Sequence, residues 1–364
     1  MKNTFGKKLL VCITTAFLIC MVAICLFYPK QDISESERRK LKQFPELTVD
    51  TVLSGRFMEE FEEYAADQFP FRELWRNLKA NVVLKVFGQS DNNELYIKDG
   101  HAAKIEYPLH VNSVERAAGI FQRIYEKQLK GKDCSVYYSL IPDKNYFLGE
   151  EHLQMDYEKL QSILANELGE MVYIDIMDLL EAEDYYKTDA HWRQECIIDV
   201  AEKIAEEMGT YVKSDYQKRE IETPFYGVYY GQSAIAMKPD RMFYLTNDIL
   251  ESCSVFDYQN NREMSIYDLE RTKGQDPYEM FLSGSLSLLE ISNPYAEKEK
   301  ELVIFRDSFG SAIAPLLTEG YSTITLIDIR YLPSTQVEKY IDFQGKDVLF
   351  LYSTSVLNHS ETLK

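Results

Sequence analysis

Basic residues are in short supply: 40 lysines and arginines stand against 59 aspartates and glutamates in 364 residues, a formal charge of −19. Neutralising phosphates takes a basic face, so this deficit argues against a nucleic-acid partner. Cysteine is scarce as well, six in all, and Cys12, Cys20 and Cys25 fall within one apolar run. The other three, Cys134, Cys196 and Cys253, are too few and too scattered for a disulfide framework or a zinc cluster. No two of the five histidines stand at i, i+4, and there is no Gly-rich phosphate loop, so neither a metal nor a cofactor is expected. Repeats and low-complexity runs are missing too. With 45% hydrophobic residues and only 16 glycines, the composition excludes disordered and fibrous classes.

What is present begins with an uncharged stretch of 20 residues, Leu9 to Tyr28, between Lys7-Lys8 and Pro29-Lys30. As a helix it reaches across a hydrocarbon core of about 30 Å. The competing reading is a cleaved signal peptide, whose apolar region is shorter and ends in an A-x-A-like site. No such site precedes Pro29, and bulky Ile24 before Cys25 fits a lipoprotein site poorly, so an uncleaved signal anchor is expected. Arg38, Arg39, Lys40 and Lys42 blur the positive-inside count. A short basic tail ahead of a large acidic domain still favours the tail in the cytoplasm and the domain outside. Residues 1–30 hold four lysines and no acid, so the rest carries 36 basic against 59 acidic residues, or −23.

Residues 31–53 read as a polar juxtamembrane stalk, and 54–364 as the main domain. Phe57, Phe61 and Tyr64, then Leu74, Leu78 and Val82 after Pro70, have the spacing of two amphipathic helices. Beyond Tyr107, helical stretches at Val114 to Lys130 and about 156–168 alternate with apolar runs at Cys134–Ile141 and Met171–Ile174. Leu302–Phe305, Thr323–Ile327 and Val348–Tyr352 are β-rich, separated by helix-like segments at about 310–318 and 334–342. Such alternation predicts an α/β fold with a parallel sheet covered by helices on both faces. The stretch of about 211–300, with weaker periodicity, reads as a loop-rich insertion or subdomain.

Two motifs could carry chemistry. In Val303-Ile304-Phe305-Arg306-Asp307-Ser308-Phe309-Gly310 a buried strand ends, Ser308 takes the turn and a helix follows. Ligands of open α/β sheets bind outside the carboxyl ends of strands, and a helix amino terminus offers N–H groups to a developing oxyanion. The bland alternative is that Ser308 only caps the helix.

In Thr188-Asp189-Ala190-His191-Trp192 a carboxylate stands two residues from a histidine, as a base held in one tautomer requires. Helix capping by Asp189 and packing of His191 explain the same residues equally well. A rival set, Ser308, Asp328 and His359, follows the Ser-Asp-His order of α/β-hydrolases. However, G-x-S-x-G is absent around Ser308, and His359 sits in a polar tail where disorder is the default.

The segment Asp189-Ala190-His191-Trp192 resembles the signature of the DHHW proteins of Gram-positive bacteria, with alanine in place of the first histidine. Further matching elements run from the stalk to the carboxyl end: Ser34-Glu35-Ser36-Glu37-Arg38 with Phe44-Pro45, Asp67-Gln68-Phe69-Pro70-Phe71-Arg72, Pro142-Asp143-Lys144, Arg306-Asp307-Ser308-Phe309-Gly310 and Ile327-Asp328-Ile329-Arg330-Tyr331. Each is weak alone; their order and extent are fairly specific. That family is similar to the periplasmic alginate O-acetylation proteins, which have an SGNH-hydrolase-like α/β domain and transfer acetyl groups to polysaccharide. The resemblance implies a triad of Ser308, His191 and Asp189, in an order that reverses that of ordinary SGNH hydrolases, and it leaves His359 out. One departure is Gly284-Ser285, where the related segment tends to read glycine then asparagine. Serine can still donate one hydrogen bond, but with shorter reach.

The expected function is an extracytoplasmic acyl-ester enzyme, an O-acetyltransferase or acetylesterase acting on a cell-surface glycan, with acetyl groups supplied by a membrane acyltransferase as the resemblance suggests. Backbone N–H groups near Phe309, with Gly284 or Ser285, would hold the oxyanion. Lys144, on a loop after a predicted strand, and Arg330 are substrate-contact candidates, although surface charge is the commoner reason for such residues. The competing expectation is a non-catalytic glycan-binding or assembly protein, for which the 25 tyrosines beyond the anchor could stack on sugars. A purely structural envelope protein is the remaining alternative.

Overall fold

The carboxyl-terminal strands show most directly how this sequence folds. Along Glu301–Arg306, Leu302 and Ile304 enter one apolar cluster and Val303 and Phe305 another, and Asp347–Ser353 divides the same way, Leu349 and Leu351 against Val348 and Phe350. A strand buried on both faces must be apolar at nearly every position, and these are. The computed structural model describes residues 2–34, 36–212, 215–296 and 300–364, so Glu35 of the Ser34–Arg38 motif lies outside the described residues.

Contacts divide the chain into two units, one of residues 1–92 with 231–236, the other of 93–230 with 237–364. The first holds helices α1 (Lys2–Phe27), α2 (Arg56–Asp67) and α3 (Arg72–Asn81), the last running on into a π-helical turn at Val82–Val86. Within α1, Gly6–Phe27 is the one segment among the described residues that is long and apolar enough to cross a membrane; its 22 residues make about 33 Å of helix. The stretch read as a stalk is tied down at several points. Arg39 grips Asp67 with both guanidinium nitrogens, at 2.8 and 2.5 Å, and Glu37 pairs with Arg72 at 2.6 Å.

The second unit is built on an eight-stranded sheet. Its strands are β1 (Ser135–Ile141), β2 (Val172–Tyr173), β3 (Ser254–Asp257), β4 (Arg262–Met264), β5 (Leu288–Ser292), β6 (Glu301–Arg306), β7 (Thr323–Ile327) and β8 (Asp347–Ser353), in the spatial order β4-β3-β5-β7-β6-β8-β1-β2. The five from β7 to β2 pair in parallel, and β5, β3 and β4 extend the edge antiparallel. Helices cover both faces. α4 (Val111–Ile124) buries Val114, Ala117, Ala118 and Phe121 on one, and α6 (Ile198–Glu207) buries Val200, Ala201, Ile204 and Ala205 on the other; α5 (Tyr157–Glu167) joins α4.

The stretch of about 211–300 has the expected long loops and a separate hairpin, Gln217–Phe225 with Asp240–Thr246, and it also supplies β3, β4 and β5. Those strands have three to five residues, and Arg262–Met264 is mostly exposed, so little apolar periodicity marks them. The helix-like segment after Ser308 is one α turn, Gly310–Ile313, continuing as a 3-10 helix at Ala314–Gly320, where Pro315 removes an N–H donor.

Candidate active site

Ser308 emerges from the carboxyl end of β6. Asp307 shapes its turn: one carboxylate oxygen accepts the Phe309 N–H at 3.0 Å, and the other accepts the Ser353 N–H at 2.8 Å, tying the turn to β8. Gly310 is required at the next step, because a Cβ there would stand 2.7 Å from Cβ of Arg306.

His191 arrives from the loop between residues 185 and 194. Its Nε2 lies 2.8 Å from Ser308 Oγ, and its Nδ1 lies 2.6 Å from Asp189 Oδ1. That puts the hydroxyl, the imidazole and the carboxylate in one chain of hydrogen bonds. The imidazole plane is fixed by Tyr278, stacked at 3.9 Å and 13°, and by Phe309 at 4.8 Å. Asp189 is fully buried; its Oδ1 also accepts the His191 N–H at 3.1 Å, and its Oδ2 accepts the Val228 N–H at 2.8 Å. Three acceptor contacts hold the carboxylate correctly turned.

Behind this lies a frame that sequence reasoning missed. Asp240 accepts the Lys187 and Thr188 N–H groups, each at 2.8 Å, and the Thr188 hydroxyl at 2.6 Å. Gly227 donates its N–H to Thr188 Oγ1 at 2.8 Å and approaches so closely that a Cβ would meet Thr188 O and Asp189 Cβ at 2.3 Å. Trp192 Nε1 donates to Phe309 O at 3.2 Å and Gln194 Nε2 to Ala312 O at 2.8 Å, fastening the histidine loop to the segment after the serine. Trp192 was visible as an aromatic neighbour of His191; Asp240, Gly227 and Tyr278 lie far off in sequence, with no local signal.

The other sequence-predicted residues are placed differently. The Phe309 ring touches His191, but its N–H is committed to Asp307 and does not face a substrate oxygen. Ser308's own N–H makes no hydrogen bond among the described residues and is the available donor beside Oγ. The Gly284 N–H goes to Phe281 O at 3.1 Å, and Ser285 is exposed. Leu282, Ser283 and Gly284 have φ of 53°, 54° and 83°, an uncommon left-handed run. Arg306, fully buried, holds this loop only by long contacts, 3.4 Å to Gly284 O and 3.5 Å to Leu286 O.

Lys144, expected at the border of the site, is instead a buried strut: it is 2% exposed and its Nζ donates to Tyr186 O at 2.8 Å. Burial pulls its pKa down to about 7, against the opposing pull of Asp189 and Asp240. Arg330 is spent on Asp328, Nε to Oδ1 at 2.9 Å and Nη2 to Oδ2 at 2.6 Å, and the carboxylate holds the guanidinium pKa above its usual value in spite of burial. That pair also removes Asp328 as a triad acid. His359 Nε2 lies 3.3 Å from Glu106 Oε2. Among the described residues no group of three metal-ligating side chains occurs.

The fold has known counterparts. A DHHW family protein from Eubacterium siraeum superposes with a TM-score of 0.61 and 23% identity, over 75% of this chain and 97% of that one. Bacillus cereus PatB1, solved with a sulfonyl adduct, gives 0.58 and 19% over 72% and 95%. The O-acetyltransferase domain of Pseudomonas putida AlgJ overlaps more loosely, at 0.46 and 10% over 72% and 92%. No family model and no curated protein matches the sequence. The chain therefore has the α/β fold of the first two of these proteins.

Proposed function

We propose that the protein is a membrane-anchored, extracytoplasmic acyl-ester enzyme, an O-acetyltransferase or acetylesterase acting on a cell-surface glycan. The observation that carries this reading is the hydrogen-bonded line Ser308–His191–Asp189 at 2.8 and 2.6 Å, at the carboxyl end of a parallel strand. Ser308 Oγ attacks the acetyl carbonyl as His191 Nε2 takes its proton, and Asp189 stabilises the imidazolium that forms. The tetrahedral oxyanion is held by the Ser308 N–H and a donor from the Gly284-Ser285 loop. His191 then returns the proton to the leaving alkoxide. A sugar hydroxyl or water, deprotonated by the same imidazole, attacks the acetyl-serine and releases the serine. The first outcome is transfer and the second is hydrolysis.

The fold neighbour PatB1 carries a sulfonyl adduct in its solved structure. Sulfonyl groups bond to nucleophiles, and Ser308 is the group in this chain equipped for that reaction. A charge of −23 beyond the first 30 residues repels polyanions, so the acceptor is a glycan nearer to neutral. The helix Gly6–Phe27 serves as the anchor, and a membrane acyltransferase supplies the acetyl donor.

The test is acetyl release from a model ester and acetyl transfer to cell-wall glycan by the full chain, with sulfonyl fluoride labelling followed by mass spectrometry. Ser308→Ala should abolish turnover and labelling; unchanged turnover in that variant sinks the assignment. A second reading, a glycan binder without turnover, is favoured by the Phe309 and Gly284 N–H groups being already committed. Glycan binding that survives loss of Ser308 and His191, with no ester turnover in the parent protein, would establish it.

A further inference from the structure

The two juxtamembrane helices treat their apolar faces in opposite ways. On α2, Phe57, Phe61 and Tyr64 are covered by the Phe44 ring, with centroids 5.4–6.2 Å away. On α3 and the residue before it, Phe71, Leu74, Trp75 and Leu78 fall at i, i+3, i+4 and i+7, one stripe of a helix. They are 55%, 65%, 47% and 49% exposed. Two arginines of the same helix are turned inward instead: Arg72 and Arg76 pair with Glu37 at 2.6 and 3.4 Å, while Glu73 and Lys79 are exposed. A helix bathed in water is built the other way round, and a contiguous apolar patch marks an interaction site.

The position of this stripe indicates what covers it. Gln68 brackets the backbone of Gln31, accepting its N–H at 3.0 Å and donating to its carbonyl at 2.8 Å. The Tyr28 ring lies 5.2 Å from the Phe71 ring. Tyr28 directly follows the last residue of the apolar span, so the start of α3 sits where α1 leaves the hydrocarbon. Tyrosine and tryptophan are the residues that collect at that depth.

We propose that α3 lies in the lipid interface beside the anchor, with Phe71, Leu74, Trp75 and Leu78 seated at the boundary between headgroups and acyl chains. The proposal rests on the anchor reading given above. A single span leaves the first unit free to swivel on the bilayer, and this second lipid contact removes that freedom.

The chain has two tryptophans, Trp75 on the stripe and Trp192 fully buried, so native fluorescence reads the proposal directly. The full chain is reconstituted into phosphatidylcholine–phosphatidylglycerol vesicles with plain or brominated acyl chains, and Trp75→Phe supplies the Trp192 background. The Trp75 emission should be blue-shifted, quenched by bromolipid and shielded from acrylamide. Leu74→Glu with Leu78→Glu should abolish bromolipid quenching while leaving circular dichroism and Trp192 emission unchanged.

Vesicle flotation separates the two readings. A chain that floats while Trp75 stays solvent-like and bromine-insensitive overturns this inference and leaves the anchor standing. A chain that fails to float removes the anchor and the inference together. Shielding of Trp75 in native membranes but not in lipid vesicles indicates a protein partner and also overturns the proposal.

Discussion

The candidate site has a rigid half and a loose half. On the base side, Asp189 is gripped by three contacts, His191 is sandwiched between two rings, and Asp240, Gly227 and Trp192 brace the loop from behind. On the oxyanion side, the left-handed Leu282–Gly284 run is anchored at its start by Leu282 N–H to Ile266 O at 2.9 Å and Ser283 Oγ to Asp268 Oδ2 at 3.1 Å, while Arg306 reaches Gly284 O and Leu286 O at 3.4–3.5 Å, beyond ordinary hydrogen-bond length. On the proposed reading, general-base catalysis is therefore preorganised, whereas transition-state charge stabilisation depends on the Ser308 N–H, which makes no hydrogen bond among the described residues, and on the Gly284-Ser285 loop. Electrostatic preorganisation is usually the larger share of catalysis, so the expected enzyme is a slow one.

The largest effect that would break this contrast is at the serine. Ser308→Ala is expected to lower kcat by about 10⁴- to 10⁶-fold, as loss of a triad nucleophile does. Ester turnover and sulfonyl labelling read it, and a loss below tenfold would mean that the rigid half is only structural. Asp189→Asn comes next, at about 10⁴-fold, because an amide at 2.6 Å from Nδ1 favours the wrong tautomer. Its circular dichroism should match that of the parent, since the Val228 N–H can still bond to the amide oxygen.

The loose half is sharpened by a gain. Ser285→Asn lengthens the side chain by one carbonyl unit and restores an amide donor, and a correctly placed donor is worth about 10²-fold in rate. A rise in kcat with unchanged KM is the expected result for acetyl release from a model ester. If Ser285→Asn has no effect while Ser285→Ala also has none, the loop plays no part in oxyanion binding.

This division also accounts for what could be read from the sequence. Four of the five parallel strands were legible because burial makes them nearly continuous apolar runs, and Thr323–Ile327 was located to the residue; the fifth, Val172–Tyr173, lies at the sheet edge with Val172 exposed. Ser308, Asp189 and His191 were visible as candidates because a strand–serine–helix turn and an Asp-x-His pair are local patterns, and the family resemblance, not those patterns, set them above Asp328 and His359. The bracing residues were not. Asp240 lies 52 positions from Thr188, and Tyr278 stacks on a histidine 87 positions away, so only the folded chain brings them together. Lys144 and Arg330 misled for a different reason: a charged residue after a strand looks solvent-facing until its partners, two carbonyls and Asp328, are known.

The smallest expected effect concerns Asp143-Lys144, behind the rigid half. Lys144 has its folded pKa pulled from 10.5 to about 7 by burial, so between those values the unfolded chain holds the extra proton, and stability rises with pH from about 7 to 10.5. Asp143 is raised from 3.8 to about 6 by burial and by Glu106, so its contribution is full below about 3.8 and is lost as pH rises through 6. Together they place the loop's weakest point near pH 6–7, where the buried carboxylate and the buried ammonium are both largely charged. Urea midpoints measured from pH 4 to 10 should therefore show a minimum that Asp143→Asn flattens on the acid side and Lys144→Met on the alkaline side. The Lys144 ammonium braces the carbonyl of Tyr186, three residues before Asp189, so Lys144→Met should also lower kcat modestly without changing the sulfonyl labelling site. An unchanged kcat in this variant would show that the rigid half is not held from behind by Lys144.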